Sequence, residues 1–351
     1  MKISKRVRTG YALALAGILA LPGLSLLTTQ AAGAIDTGAK CSLTVTVEES
    51  EYAKDFNDMS IPVAVYKVAD VDSVGKYTAA GAFAGMDFSK ISSNTTAEEW
   101  MELGKQAEEI RVKAEPTPEP SGEVTVQKEA GSTEPAKGTI RDLATGMYLV
   151  VPAETYNKDY TVKYVFNPYL TALPGNPYTS SGGEGSDEWD YNPVIGLKAE
   201  GEPQTGKLII TKTLENYNET LGKTSFVFEI TGRDSAGNLV YSNVVSTTHE
   251  GPGDQSVTLE GLPAGITVTV KEVYEGASYE LDSPKVVDGI LIWSDAAVDA
   301  GLGETASVTF RNKYDGGNRG GYGVTNHFYD ENGTWECDYP TKGQELPERN
   351  N

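Results

Sequence analysis

Histidine and cysteine are scarce in this sequence, since its 351 residues contain two of each. Histidine is the most frequent general base and a common metal ligand, so its scarcity disfavours turnover catalysis and a histidine metal site. The H-E-x-x-H, G-x-S-x-G and C-x-x-C patterns of metalloproteases, serine hydrolases and redox proteins are also missing. We therefore expect a protein that is not an enzyme and that needs neither a metal nor a cofactor.

Basic residues are few as well, because 29 Lys and Arg stand against 50 Asp and Glu and give a net charge of −21. A field of this sign repels phosphate backbones and anionic lipid surfaces. Nucleic acid is therefore not an expected partner. The length is sufficient for two domains with their own cores.

The first 34 residues have the layout of a secretory signal peptide. A basic head ends at Arg8, residues 11–27 are nearly all apolar, and Ala32-Gly33-Ala34 supplies small residues for cleavage. The alternative is an uncleaved anchor, because this apolar run is close to the shortest that spans a bilayer. Pro22 and the A-x-A ending favour cleavage, and no second apolar span follows. We expect a secreted or cell-surface protein that is not in the membrane after cleavage.

The two cysteines, Cys41 and Cys337, lie near opposite ends of the mature chain. They cannot supply the disulfide framework of a small secreted domain. One internal disulfide, an intermolecular bridge and two isolated thiols all remain compatible with an extracellular location.

Residues 35–202 are predicted to form a mainly β first domain with one helical insert. In TTAEEWMELGKQAEEI, apolar residues recur at helical spacing behind an acidic first turn, which predicts a short amphipathic helix. Pro, Glu, Gly and Ser then dominate residues 113–138 and predict a mobile loop or a hairpin. Alternating or β-branched segments predict strands at 42–47, 61–69, 146–151 and 160–170.

A turn-rich stretch at 201–206 marks the boundary of a second predicted domain, residues 207–314. Its short strands, separated by turn signals, are typical of a β-sandwich. Residues 315–351 are predicted to be a Gly-rich linker followed by a hairpin and tail. The predicted strands of the second domain are 207–214, 224–231, 239–246, 256–259, 266–274, 288–293 and 305–314.

Three polar residues of this second domain, Lys212, Glu272 and Asn312, fall on the apolar faces of their strands, because side chains alternate along a strand. Burial lowers the pKa of a lysine and raises that of a glutamate. A neutral Lys212 amine can attack the Asn312 carboxamide, while Glu272 polarises the carbonyl and transfers the proton. The products are an isopeptide bond and ammonia. The alternative is that Lys212 and Glu272 turn outward or form an ordinary ion pair.

These three residues lie in segments that resemble parts of Cna-B-like isopeptide domains. GKLIITKT resembles the first strand of such a domain, LEGLPAGITVTVKEV its glutamate-containing region, and VTFRNKY its last strand. Such domains build sortase-assembled pili and surface adhesins of Gram-positive bacteria. The resemblance covers about residues 207–314. It implies that Lys212 and Asn312 form the crosslink and that Glu272 promotes it. The implied fold is all-β, with tandem immunoglobulin-like, Cna-B-like β-sandwiches, the first with a short helical insert.

The first domain is similar to the N-terminal domains of pilin backbone subunits. Three segments match strands of that family: GMYLVVPAET, NPYLTALP and WDYNPVIGLK. WDYNPVIGLK also matches the pilin motif of the family. The resemblance implies that Lys198 is the amine which a sortase joins to the next subunit. Pro193 and residues 196–197 depart from the motif, so Lys198 is equally compatible with an ordinary solvated lysine at a strand end.

A second crosslink is not expected in the first domain, because Val47 takes the place that corresponds to Lys212. Glu154 remains in the glutamate position as a weak candidate. Lys67 and Asn192 are an alternative candidate pair for a lysine–asparagine crosslink in this domain. The sequence ends in TKGQELPERNN, without the LPxTG-type signal of anchored family members. We therefore expect no sortase attachment through this end, and the alternatives are a truncated gene product, a subunit completed by another chain and a secreted relative.

The resemblance implies a structural surface or pilus-type subunit, with other pilus subunits and a sortase as partners and a host protein or glycan as a further ligand. The competing hypothesis is a secreted glycan- or protein-binding module that does not polymerise. Trp189 and Trp335, if exposed, are side chains on which a sugar would stack. A β-sandwich alone does not distinguish these functions.

Overall fold

The computed structural model describes residues 33–47, 52, 54–91, 95–175 and 189–317, together with the backbone of 327–331 and 334–338. The predicted signal peptide therefore lies almost entirely outside the described residues. Within them, no helix combines the length and the apolar character that a bilayer-spanning segment requires. The chain divides into two compact units.

The first unit is built on one mixed sheet of eight strands, in the order β10-β1-β5-β4-β2-β6-β9, with β3 paired to β2. β10 runs parallel to β1, and the other pairings are antiparallel. An isolated bridge between Gly175 and Asp190 connects the segment after β9 with the segment before β10. The sheet therefore curls until its two edges approach each other. The strands are β1 Lys40–Val47, β2 Ser60–Val71, β3 Tyr77–Ala79, β4 Gly122–Gln127, β5 Lys137–Ala144, β6 Gly146–Pro152, β9 Tyr169–Leu173 and β10 Val194–Leu197.

The predicted helix is confirmed as α1, Ala97–Lys113. Thr96 begins it with a capping box: its hydroxyl accepts from the Glu99 N–H, and the Glu99 carboxylate accepts from the Thr96 N–H. The apolar stripe buries Trp100 and Ala107 in a cluster with side chains of β2, β6 and β9. Packing of this stripe holds a helix of this length in place, because isolated helices of this size are marginal in water.

The Pro/Glu-rich stretch, for which a mobile loop or a hairpin was predicted, contains strand β4, which pairs antiparallel with the next strand β5 as in the hairpin alternative. β4 lies within it, pairs with β2 over six residues and meets β5 at Gln127 and Lys137. Val126 of β4 is fully buried. Val124 of the same strand is partly buried, so two valines on one face hold this otherwise polar segment in the sheet. Two short 3₁₀ helices, Asp55–Asn57 and Gly81–Phe83, complete the regular structure of this unit.

The second unit contains two four-stranded sheets, with the orders β15-β12-β19-β17 and β14-β13-β16-β18. All seven predicted strands are present, and the short strand β17 is additional. A 3₁₀ turn covers Glu219–Leu221, and α2 covers Asp295–Asp299. The strands are β12 Thr205–Leu214, β13 Thr224–Arg233, β14 Leu239–His249, β15 Gly253–Pro263, β16 Thr267–Tyr274, β17 Tyr279–Leu281, β18 Val286–Leu291 and β19 Ala306–Tyr314.

The core of the second unit lies between its two sheets. Alternate residues of β12, β13, β16 and β19 are buried, as expected for strands with one face in a core. Phe228 of one sheet meets Phe310 of the other, with ring centroids 5.1 Å apart. The prediction of an all-β chain of tandem sandwich-like units with one helical insert is confirmed.

Two segments differ from the expected division of the chain. Residues 156–164 belong to the second unit, although the sequence pattern assigned them to the first domain. β7 (Thr155–Tyr156), β8 (Val162–Phe166) and β11 (Ala199–Pro203) form a small sheet in the order β11-β8-β7. The predicted domain boundary at 201–206 lies where the chain passes to the second unit, but it is largely strand, since β11 ends at Pro203 and β12 begins at Thr205. A Cβ at Gly206 would overlap the carbonyl oxygen of Trp293, which explains a glycine at that position.

The backbone of the C-terminal segment forms one antiparallel hairpin, from β20, His327–Glu331, and β21, Thr334–Asp338. A hairpin was expected in this segment. The side chains of Trp335 and Cys337 lie outside the described residues.

Candidate functional site

Lys212, Glu272 and Asn312 are all completely buried in the second unit, with 0% exposure each. They come from β12, β16 and β19, so both sheets contribute to the cluster. The prediction that all three side chains point inward is confirmed. Placing charged groups in a core costs several kcal/mol per ion unless partners compensate, which makes an unpartnered arrangement untenable.

Glu272 holds the other two residues together. The Lys212 Nζ donates to Glu272 Oε2 at 2.9 Å and also lies 2.9 Å from Oε1. The Asn312 Nδ2 donates to Glu272 Oε1 at 2.8 Å and to the backbone carbonyl of Glu275 at 3.2 Å. One carboxylate thus contacts the amine on one side and the carboxamide on the other.

The contact between Glu272 and Asn312 corrects one detail of the expected chemistry. Glu272 bonds the amide nitrogen of Asn312 and not the carbonyl oxygen. The Asn312 Oδ1 is buried and has no hydrogen-bond partner among the described residues. The carboxyl group is therefore placed to protonate the nitrogen that leaves, rather than to polarise the carbonyl. Alternation along the strands predicts which face a side chain occupies, but not how an amide is oriented.

Burial displaces the pKa values of the amine and the carboxyl in the directions that the proposed chemistry needs. Burial lowers the pKa of Lys212 to about 8, against the opposing attraction of Glu272. Burial also raises the pKa of Glu272, again partly offset by Lys212. Each shift reduces the cost of the neutral form, so proton transfer from Lys212 to Glu272 becomes easier than in water.

The pairing of β12 with β19 sets the relation between Lys212 and Asn312. These strands are neighbours and run parallel, with Lys212 opposite Phe310 and Leu214 opposite Asn312. Lys212 and Asn312 are thus offset by two positions on adjacent strands and share the core-facing side. A bond between them would join the first and the last long strand of the two-sheet unit.

Further groups around the cluster were not anticipated from the sequence. The Glu275 carbonyl accepts from Asn312, and the Glu275 side chain pairs with Lys285 at 2.6 Å. The ring of Phe226 lies with its centroid 4.7 Å from the Lys212 Nζ. The alternation of β13 shows that Phe226 is buried, but its proximity to Lys212 depends on how the sheets pack. A backbone carbonyl leaves no signal in the sequence.

Lys198 is exposed, and it lies between β10 and β11. β10 pairs in parallel with β1, with Leu197 opposite Val47. Trp189, earlier in the same motif, is half-buried, and its Nε1 donates to the Gly33 carbonyl at 2.6 Å. Trp189 is therefore not the fully exposed side chain that the sugar-stacking hypothesis assumes.

The weak candidates of the first unit are not brought together. Glu154 is exposed between β6 and β7, and Val47 is buried. Lys67 pairs with Asp70 at the surface. Asn192 accepts from the Ser42 hydroxyl and lies beside β10, which three intervening strands separate from β2 in the sheet order. These positions give no second arrangement like that of Lys212, Glu272 and Asn312 in the described part of the first unit.

Cys41 is buried and is a free thiol in the described part of the chain. Burial is the main reason that its pKa is raised to about 11, which disfavours the reactive thiolate. The described residues also contain no group of three or more His, Cys, Asp or Glu side chains arranged to hold a metal ion.

Comparison with known proteins gives one family match. The model of a family described as a domain of unknown function (DUF5979) matches residues 208–315, a range that contains Lys212, Glu272 and Asn312. No curated protein matches the sequence significantly.

Several solved pilin structures are similar to the chain at low identity. A streptococcal ancillary pilin is 14% identical with a TM-score of 0.25, over 79% of this chain and 69% of its own. The full-length major pilin SpaD of Corynebacterium diphtheriae is 14% identical with a TM-score of 0.25, over 81% and 100%. The shaft pilin spaA of Lactobacillus rhamnosus GG is 12% identical with a TM-score of 0.25, over 79% and 99%. Similarity at this level establishes neither a shared activity nor shared partners.

Proposed function

We propose that the chain is a structural cell-surface or pilus-type subunit whose second unit closes itself with a Lys212–Asn312 isopeptide bond. The observation that supports this is the fully buried cluster in which Glu272 contacts both the amine and the carboxamide. An ordinary stabilising core would place apolar side chains here, since a buried ion pair is weak evidence for stability. The cluster is better explained as the reactants and the proton carrier of one self-directed reaction.

The reaction balances with these three side chains alone. The Lys212 ammonium gives a proton to the Glu272 carboxylate and becomes a neutral amine. The amine attacks the Asn312 Cγ, the carboxyl proton moves to Nδ2, and the C–N bond breaks as ammonia leaves. The new amide nitrogen gives its extra proton back to Glu272, which ends neutral. Because each molecule reacts once, this is maturation and not turnover, and we propose no other enzymatic activity.

The partners and location follow from the sequence resemblance and are proposed on that basis. The protein would be exported and lie at the cell surface or in a pilus, where adhesion to a host protein or glycan is one role. Lys198 would be the amine that a sortase joins to a neighbouring subunit. Its exposure beyond the end of β10 supports this assignment, because an enzyme must reach the acceptor amine.

The intact mass of the purified mature protein tests the proposed crosslink. Loss of one ammonia lowers the mass by about 17 Da relative to the sequence. Lys212→Ala and Glu272→Gln should both restore the full mass, the latter because an amide cannot carry the proton. Lys207→Ala is the matched control, since Lys207 lies on the same strand but is partly exposed and paired with Asp295. A wild-type protein at full mass would exclude the crosslink.

A further inference from the structure

His249 is a second buried titratable residue near Lys212, and the proposed reaction does not use it. It ends β14 and is 1% exposed. Its Nε2 is buried without a hydrogen-bond partner among the described residues. Both ring nitrogens of a protonated histidine carry a hydrogen, so protonated His249 would have an Nε2–H with no described acceptor.

Phe226 connects His249 to the amine. The His249 ring meets Phe226 edge-on, with centroids 5.4 Å apart and planes at 90°. The same Phe226 ring lies 4.7 Å from the Lys212 Nζ. His249 thus supports one side of the aromatic ring against which the reacting amine rests. Tyr279 supports the ring from another side, with centroids 5.7 Å apart.

Protonation of His249 would disturb this arrangement for two reasons. The new Nε2–H would lack an acceptor in a buried position, which is costly. The ring would also become a second cation near Lys212 of β12. Burial and the Lys212 charge lower the pKa of His249, while the Gly251 carbonyl and Asp254 of β15 raise it less. Glu250, the residue after His249, forms an exposed ion pair with Lys223.

We propose that His249 is a positioning residue for the reaction of Lys212 with Asn312: its neutral ring fixes Phe226 against the amine, and its protonation makes bond formation acid-sensitive. The inference rests on the proposed crosslink. It has a reciprocal consequence, because the reaction replaces the Lys212 ammonium by a neutral amide. Loss of that neighbouring charge should raise the pKa of His249 in the crosslinked protein.

The rate of mass loss in newly synthesised chain tests the positioning role. Full chain is produced by cell-free synthesis, shifted to a series of pH values and followed by intact mass. His249→Gln removes the ring and should slow bond formation about tenfold near neutral pH, since misplaced groups lose rate steeply. His249→Phe keeps the ring contact and should recover most of that loss. The rate of mass loss of this variant should also fall less toward acidic pH than the rate of the wild type, because a phenylalanine ring cannot be protonated.

Histidine titration by NMR gives an independent measurement in folded protein. The chain has two histidines, so the His327 signal serves as the internal reference. The pKa of His249 should be higher in crosslinked wild type than in Asn312→Ala, which keeps the Lys212 amine. Equal values, or identical rates and pH profiles in wild type and both His249 variants, would overturn the positioning role alone. Wild type that never loses ammonia would instead refute the crosslink itself.

Discussion

Removing the acceptor of the crosslink should destabilise the second unit by several kcal/mol. Asn312→Ala prevents the bond while leaving Lys212 and Glu272 paired. The bond would close a loop of 312 − 212 = 100 positions. By analogy with a disulfide, closing a loop of that length restricts the unfolded chain by about 4.7 kcal/mol.

The crosslinked protein has already lost the Asn312 Nδ2 as ammonia, so hydrogen bonds from this nitrogen do not add to that figure. An unreacted Asn312 would instead donate to Glu272 and to the Glu275 carbonyl, and removing it would leave buried acceptors unpaired at a cost of about 1–3 kcal/mol. The expected loss for the crosslinked protein is therefore about 4.7 kcal/mol, a large part of the stability of an ordinary domain. The loss should appear as a strongly lowered unfolding midpoint.

Guanidinium unfolding followed by tryptophan fluorescence measures this loss, with intact mass recorded on the same samples. Lys207→Ala should leave the midpoint almost unchanged, since exposed ion pairs contribute little. A difference between wild type and Asn312→Ala of about 1–3 kcal/mol would equal the hydrogen-bond contribution alone. That result would refute the covalent constraint, even if the variant were less stable than wild type.

Three further measurements test other parts of the structure. Lys198→Arg keeps the charge but not the primary amine, so a pilus-type sortase with an LPxTG donor peptide should conjugate wild type and not the variant; equal conjugation would place the acceptor elsewhere. Thr96→Ala removes the cap of α1 and should lower the stability of the first unit by about 1 kcal/mol in urea unfolding, and no change would contradict the capping role. In Asn312→Ala, the free energy of unfolding should rise as the pH increases from about 8 to 10.5. Burial lowers the pKa of Lys212 to about 8 in the folded state, so over this interval the unfolded state binds more protons than the folded state. A decrease over that interval would contradict the low pKa.

The sequence was most informative where one local rule decides the outcome. Alternation placed Lys212, Glu272 and Asn312 on core faces, because a strand with one buried face cannot shift by one residue without exposing its whole apolar set. The helix was equally clear, since apolar residues recur at helical spacing behind an acidic first turn. These signals depend on residues close together in the chain, so they can be read without knowing the fold.

Features that depend on packing between distant segments were not predicted. The sequence left open whether residues 113–138 form a loop or a hairpin, because β4 is polar on its outer face and depends on Val126 and on its neighbours in the sheet. The orientation of the Asn312 amide is set by the Glu275 carbonyl, which is contributed by backbone and not by residue type. His249 sits on the buried face of β14, but its relation to Lys212 appears only once Phe226 is placed between them.

The parallel pairing of β12 with β19 has a consequence for the length of the protein under tension. The chain enters the pair of four-stranded sheets at the start of β12 and leaves them at the end of β19, while Lys212 and Asn312 lie near the C-terminal ends of these two strands. With the bond in place, the pulling path crosses directly from one strand to the other. The hundred positions between them, which would extend to about 330–360 Å if unravelled, stay outside that path. In a single-molecule pulling trace, the crosslinked unit should therefore contribute no long extension step.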